Sequence, residues 1–242
     1  MKIALDHTSE IGVRAGRLLL GEPALDQLGI VRRNVKDRDR RLKRINEVTG
    51  FDAVATDDPD SSILAEAVAA GVPCVLWSEA ADASVDVGST PVLAGANFVT
   101  GIGRSLVERA TDDAAGDAQL LFAWTEPGKP IRSGEPVSFP EPVGARWGSR
   151  RAMTNRRLEV ASPVPDEWAG IVVRASTDAA TLTFGVADLA THLEAIALAA
   201  GAVIAAMGTI PSGEHRPNEF TNDYLAAAFL TGLDVATFTG AG

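Results

Sequence analysis

The chain of 242 residues has one cysteine, one tyrosine and three histidines, and a formal net charge of −10 from 22 basic and 32 acidic side chains. Each shortage excludes something. The lone thiol, Cys74, cannot close an intramolecular disulfide, which suits a reducing compartment, and its place in the apolar run 72–77 makes it a poor nucleophile. Scattered histidines and one cysteine form no cluster with metal-ligand spacing, so no metal site is expected. The stretch most like a membrane span, 195–207, falls short of the roughly 20 residues that a bilayer demands and reads as a buried helix. Only three apolar residues separate Lys2 from Asp6 and no signal-peptide pattern follows, so a cytoplasmic location is expected. The negative field repels nucleic acid and anionic membrane alike. Small molecules are the expected partners, with any anionic one held by a local basic pocket.

What the chain does have is an apolar fraction of 46%, enough for an ordinary packed interior. It opens MKIALDHTSEIGVRAGRLLL: a short apolar strand, a polar turn over 6–10, and a helix carrying Gly12 and Gly16. That is the strand-turn-helix start of a dinucleotide-binding sheet, although His7, Thr8, Ser9 and Glu10 stand where two glycines would approach a pyrophosphate. The pattern then recurs, with strands expected at 29–31, 52–56, 72–77 and 90–93 and helices at 37–48, 61–70 and, weakly, 81–88. Gly29, Gly50 and Gly71 each fall where a left-handed helix C-cap would precede a strand. Residues 1–100 therefore read as an α/β domain, a Rossmann-type doubly wound parallel sheet.

Beyond residue 100 the texture changes. A helix at 102–111, strands at 118–124, 158–161, 171–175 and 181–186, and a long covering helix at 187–207 make residues 101–242 a smaller mixed-sheet α+β domain for substrate and oligomerisation. A last helix at 222–233 belongs to this domain or returns to the first. The Ala- and Gly-rich face of 195–208 permits close packing between chains, so a homo-oligomer is expected.

Candidate site residues follow from this frame. Thr8 and Ser9 can cap the first helix or donate to a phosphate, and Gly12 keeps its first turn open. Arg32 and Arg33 follow the second strand, where arginine pairs with the 2′-phosphate of NADP and an acid would receive the ribose of NAD. The charged run after them, through Arg44, reads as a solvated helix face. Later in the chain, Lys129 and Arg132 share the loop EPGKPIRSGEP, and Arg146, Arg150 and Arg151 flank Trp147. The first pair can hold a carboxylate or donate a proton, and equally can be exposed turn residues, and the second group can clamp an anionic substrate or line an interface. His215 lies in the loop PSGEHRPNE without a visible partner, and His192 on the long helix reads as core or capping. The tyrosine–lysine pair of short-chain dehydrogenases is absent, because Tyr224 is followed four residues on by Ala228.

The turn GANFVTGIG, Gly95 to Gly103, after the last strand of the first sheet makes the chain resemble dihydrodipicolinate reductase and its relatives among two-domain NAD(P)-dependent amino-acid dehydrogenases. A weaker similarity links SFPEPVGAR, Ser138 to Arg146, to saccharopine-dehydrogenase-type chains. The resemblance implies cofactor contacts at Thr8, Ser9, Gly12, Arg32, Thr56, Asp57, Ser78 and Asn97, with Asn97 also near the substrate. The reductase's paired-histidine segment and Ser-Gly-Thr loop have no counterpart. The leading expectation is an NADP-preferring oxidoreductase, NAD being the other cofactor choice, that passes hydride to or from an imine or carbonyl of a small carboxylate-bearing metabolite. Lys129 or His215 would be the proton donor, and Arg132 or Arg146 the carboxylate grip. The rival is a non-catalytic ligand-sensing or assembly protein that has lost the phosphate-binding glycines.

Overall fold

The computed structural model of the chain describes residues 1–33, 38–79, 88–114, 118–125, 137–146, 149–151 and 167–241. The chain begins β1 (Lys2–Asp6), α1 (Glu10–Leu20), β2 (Gln27–Val31), β3 (Leu42–Ile45), β4 (Ala53–Thr56), α2 (Ser62–Ala70), β5 (Cys74–Leu76) and β6 (Val92–Leu93). Much later it adds β13 (Glu214–His215), and these strands form one parallel sheet in the order β13-β6-β5-β4-β1-β2-β3. The strand order turns back on itself between β1 and β4. At such a point the two flanking loops leave in opposite directions and open a crevice at the carboxyl edge.

Local chemistry sets the helix ends. Ser9 caps α1 by accepting from the Ile11 amide, and Ser61 does the same for α2 through Ile63. Gly71, at φ +67°, closes α2 in the left-handed conformation. Two of the expected C-caps fall elsewhere. Gly50 has a positive φ in a turn that no helix precedes, and Gly29 lies inside β2, where a Cβ would sit 2.6 Å from Ile45 Cδ1 and 2.7 Å from Phe51 Cζ.

The expected helix over 37–48 is a correction as well, because 42–45 is the edge strand β3, paired parallel to β2. The cause is visible at Arg41. Its guanidinium bonds Asp39, two residues back, and also the Leu20 and Glu22 carbonyls at the end of α1. Side chains two apart do not meet on a helix, so this pair and its anchor favour extended chain.

After β6 come a π-helical turn (Phe98–Gly103) and α3 (Arg104–Asp113), then β7 (Gln119–Trp124), β8 (Val137–Ser138), β9 (Ala145–Arg146), β10 (Ser149–Arg151), β11 (Trp168–Ser176) and β12 (Ala180–Leu189). The long helix α4 (Ala190–Ala206), a 3₁₀ turn (Pro217–Phe220), α5 (Thr221–Leu230) and β14 (Ala236–Ala241) complete the chain. The second sheet runs β10-β7-β11-β12-β14 and every observed pairing in it is antiparallel; β8 and β9 pair separately. The strand expected at 158–161 lies outside the described residues.

Contrary to the expectation that it covers the second sheet, the long helix packs chiefly elsewhere. It lies along α1 and against β4 and β5, with lesser contact to β11 and β12. Apolar residues surround it on every side, so it must be buried on every side. Leu193, Ile196, Leu198 and Ile204 are all within 1% of full burial, each worth about 2 kcal/mol on leaving water. Gly201 allows the approach, since a Cβ there would stand 2.8 Å from Val75 Cγ1. The small-residue face expected to join separate chains is thus spent inside this one. Among the described residues, no helix is long and apolar enough to cross a membrane.

Candidate functional site

At the switch point, β1 ends in Asp6 and β4 in Thr56, paired side by side. The turn from His7 to Ser9 leads directly into α1, whose first amides lack helical partners and carry the positive end of the helix dipole. These amides do meet an anion, and it comes from the chain itself. Asp57 Oδ1 accepts from the Thr8 amide at 2.8 Å and its hydroxyl at 3.3 Å. Its Oδ2 accepts from the Ser9 hydroxyl at 2.6 Å and from the Ser9 and Gly12 amides at 3.1 Å. Five donors therefore converge on one carboxylate, which is 8% exposed.

Gly12 is required by this geometry. A Cβ would fall 2.2 Å from His7 Cβ and 2.9 Å from Asp57 Oδ2. Beside it, His7 Nδ1 is buried without a hydrogen-bond partner among the described residues. Burial first, and then the charge of Arg33, lowers the pKa of His7 and favours the neutral ring. Asp6 and Ser61 are joined by a short hydrogen bond across the crevice, which ties the start of α2 to the end of β1.

Arg32 stands just past β2 with φ +54°, a backbone region that costs a non-glycine residue energy. Its amide bonds the Ile45 carbonyl at 2.8 Å, and its guanidinium reaches Ser62 Oγ at 2.8 Å and Glu66 Oε2 at 3.4 Å. Arg33 is exposed. The structure thus brings Thr8, Ser9, Gly12, Thr56 and Asp57 together at one crevice, with the two arginines at its β2 side.

The other half of the carboxyl edge is built around Asn97. Its Nδ2 donates to the Trp77 carbonyl at 3.0 Å and its Oδ1 accepts from Thr100 N at 2.8 Å, so the side chain caps the π-helical turn and is 2% exposed. The Ser78 carbonyl accepts from Gly95 N at 2.7 Å, and Gly95 has φ +74°. Behind this turn lies Glu194, fully buried on α4. Its Oε2 accepts from Trp77 Nε1 at 2.7 Å and from Phe98 N at 2.9 Å, while Oε1 has no partner among the described residues. Burial pushes its pKa up to about 8 against those two bonds. Sequence reasoning passed over Glu194, although it is the only acidic or basic residue in α4 apart from His192.

His215, on the edge strand β13, has the partner that the sequence did not reveal. Its Nδ1 is 2.8 Å from Glu219 Oε2, and its ring meets Phe220 edge-on. The neighbouring Arg216 pairs with Glu79 at 3.1 Å, and that carboxylate is nearly buried. His192 lies 3.8 Å from Asp188. Arg146 belongs to β9, far along the chain from the crevice, and Lys129 and Arg132 lie outside the described residues. Among the described residues no set of side chains could hold a metal ion.

No protein family and no curated protein matches the sequence. Solved structures do. The chain is similar to the homospermidine synthase of Legionella pneumophila in complex with NAD, at 9% identity and a TM-score of 0.60 over 99% of this chain and 91% of that one. It is similar to the DAP dehydrogenase of C. glutamicum in complex with DAP, at 12% identity and 0.54, covering 90% of this chain and 93% of that one. An engineered D-amino acid dehydrogenase bound to NADP+ matches at 12% identity and 0.51, again over 90% and 93%. At such identities the likeness is one of fold, here a Rossmann-type parallel sheet with a second, antiparallel sheet.

Proposed function

We propose that the chain is an NAD(P)-dependent oxidoreductase acting on a small carboxylate-bearing metabolite, with hydride passing to or from an imine or carbonyl. The observation that carries this reading is the ring of five donors from Thr8, Ser9 and Gly12 at the switch point, an anion-binding cradle on the N-terminus of α1. The residues fit a pyrophosphate once the Asp57 carboxylate withdraws. Thr8, Ser9 and Gly12 would then hold the phosphates, and Arg32 and Arg33 the adenosine ribose, with the 2′-phosphate of NADP favoured over NAD. The bound nicotinamide would supply hydride. The similar structures hold NAD, NADP+ or DAP and include a D-amino acid dehydrogenase, which supports a nicotinamide cofactor and an amino-acid or amine substrate.

Within the chain, His215 is the proton carrier of this proposal, because Glu219 fixes its ring through Nδ1. Lys129 remains proposed as the alternative donor, and Arg132 or Arg146 as the carboxylate grip. The test is titration with NADPH and NADH while following tryptophan emission. Trp77 donates to the carboxylate behind the Asn97 turn, so it reports on that edge. Binding with a dissociation constant below about 1 mM, tighter for NADPH and weakened selectively by Arg33→Ala, is expected. Absence of binding by both nucleotides, in the wild-type chain and in Asp57→Ala alike, refutes the reading. It would leave the second one, a non-catalytic sensing or assembly protein, which the filled anion cradle favours.

A further inference from the structure

We propose that Asp57 is a built-in anion that holds the pyrophosphate position closed, so that a dinucleotide enters only by displacing it. The inference rests on the nicotinamide reading above for the identity of the entering ligand, but the closure itself is a property of the chain. The carboxylate takes the amides of Thr8, Ser9 and Gly12 together with two hydroxyls, the donors that a phosphate would use. A pyrophosphate brought to the same amides would meet a fixed negative charge within contact distance. Both anions cannot share one set of donors.

The carboxylate can leave without taking the fold with it. The loop that carries it is held by bonds of its own: Asp58 N donates to Thr56 Oγ1 at 3.0 Å, Ser61 N to the Asp58 carbonyl at 3.2 Å, and Trp77 N to the Thr56 carbonyl at 3.1 Å. Rotation of one side chain would therefore bare the cradle, with Ser9 still capping α1 through Ile11. Half-buried His7 stands beside the cradle, and its Nδ1 has no hydrogen-bond partner among the described residues, so an anion in the crevice could engage it.

The consequence is that Asp57 sets the affinity of the site. Removing the carboxylate should tighten anion binding, whereas an Asp57 that served the ligand would do the reverse. Inorganic pyrophosphate probes the cradle alone, and NADPH probes the functional reading. We expect Asp57→Ala and Asp57→Asn to bind pyrophosphate at least about tenfold more tightly than the wild-type chain, Ala the more so. Pyrophosphate should also raise the melting temperature of Asp57→Ala and leave that of the wild-type chain nearly unmoved. Equal pyrophosphate binding by all three proteins, or weaker binding by the variants, overturns the closure.

The two ideas fail separately. A gain for pyrophosphate with no binding of NADPH or NADH by any of the proteins keeps the closure and removes the oxidoreductase. NADPH binding that is tight in the wild-type chain and unimproved in the variants does the opposite. Should neither variant fold, the amide resonances of Thr8, Ser9 and Gly12 in the wild-type chain decide. Their movement on adding NADPH supports displacement, and shifts confined to other residues overturn it.

Discussion

Replacing Glu194 by glutamine should make the protein progressively more stable than the wild-type chain as pH rises from 5 to 8. Burial holds the Glu194 carboxyl at about 8 when folded, against an ordinary value of 4.5. The folded state therefore binds this proton more tightly than the unfolded state. Its contribution to stability is complete below pH 4.5 and is lost as pH climbs through 8. A gap of about 3.5 units at 1.36 kcal/mol each comes to about 5 kcal/mol, to order of magnitude, a large share of a typical domain's stability.

Glutamine is the neutral isostere. Its carbonyl can accept from Trp77 Nε1 and Phe98 N, and its amide would occupy the place of the unpartnered Oε1. Tyr224 donates to the Ala197 carbonyl at 2.9 Å and stays a phenol, because burial and the nearby Glu194 raise its pKa well above 10.0. Urea unfolding of both proteins at pH 5, 6, 7 and 8 reads the effect, and the difference between them cancels the titration of the remaining groups. That difference should grow by about 1.4 kcal/mol per pH unit in favour of glutamine. Parallel profiles, or a glutamine variant weaker by a constant amount at every pH, would refute the reasoning.

Two further outcomes are expected. Burial alone pushes the Cys74 thiol up to about 12, so a thiol reagent at pH 8 should label the folded protein no faster than it unfolds, and prompt labelling of native protein would contradict this. Gly12→Ala should cost at least about 2 kcal/mol in denaturant unfolding, because its Cβ collides with His7 and with the Asp57 carboxylate. Gly16→Ala should cost less, since its Cβ meets only the ends of the Leu5 and Leu28 side chains, at 3.1 and 3.8 Å; equal losses would count against the packing argument.

Much of the architecture was legible because it is written in local pattern. The opening strand, polar turn and glycine-bearing helix announce a parallel sheet, and the short apolar runs that follow continue it. The edge strand β3 was not legible, since its alternating charges imitate a solvated helix, and only the tether from Arg41 to the end of α1 shows otherwise. The site was harder for a related reason. That Thr8, Ser9, Gly12 and Asp57 share one crevice could be inferred by resemblance. That Asp57 is the occupant of the cradle depends on a contact across 45 to 49 positions of chain, which no spacing rule encodes. His215 looked solitary, although its partner Glu219 lies four residues ahead; the intervening proline disguised the turn that joins them.

The late return of the chain to its first sheet has a consequence for synthesis. Val75 and Leu93 emerge from the ribosome early, but the helix that shields them spans Ala190–Ala206, and the last strand of their sheet is Glu214–His215. Until more than 200 residues have been made, α1 alone lies on that face of the nascent sheet, over β1 and β2, and the part formed by β4 and β5 lacks the helix that packs on it. The amino-terminal half is then a hydrophobic surface waiting for its lid, a natural client for a holding chaperone. A gene cut after residue 100 would express that exposed intermediate and no free-standing parallel-sheet domain.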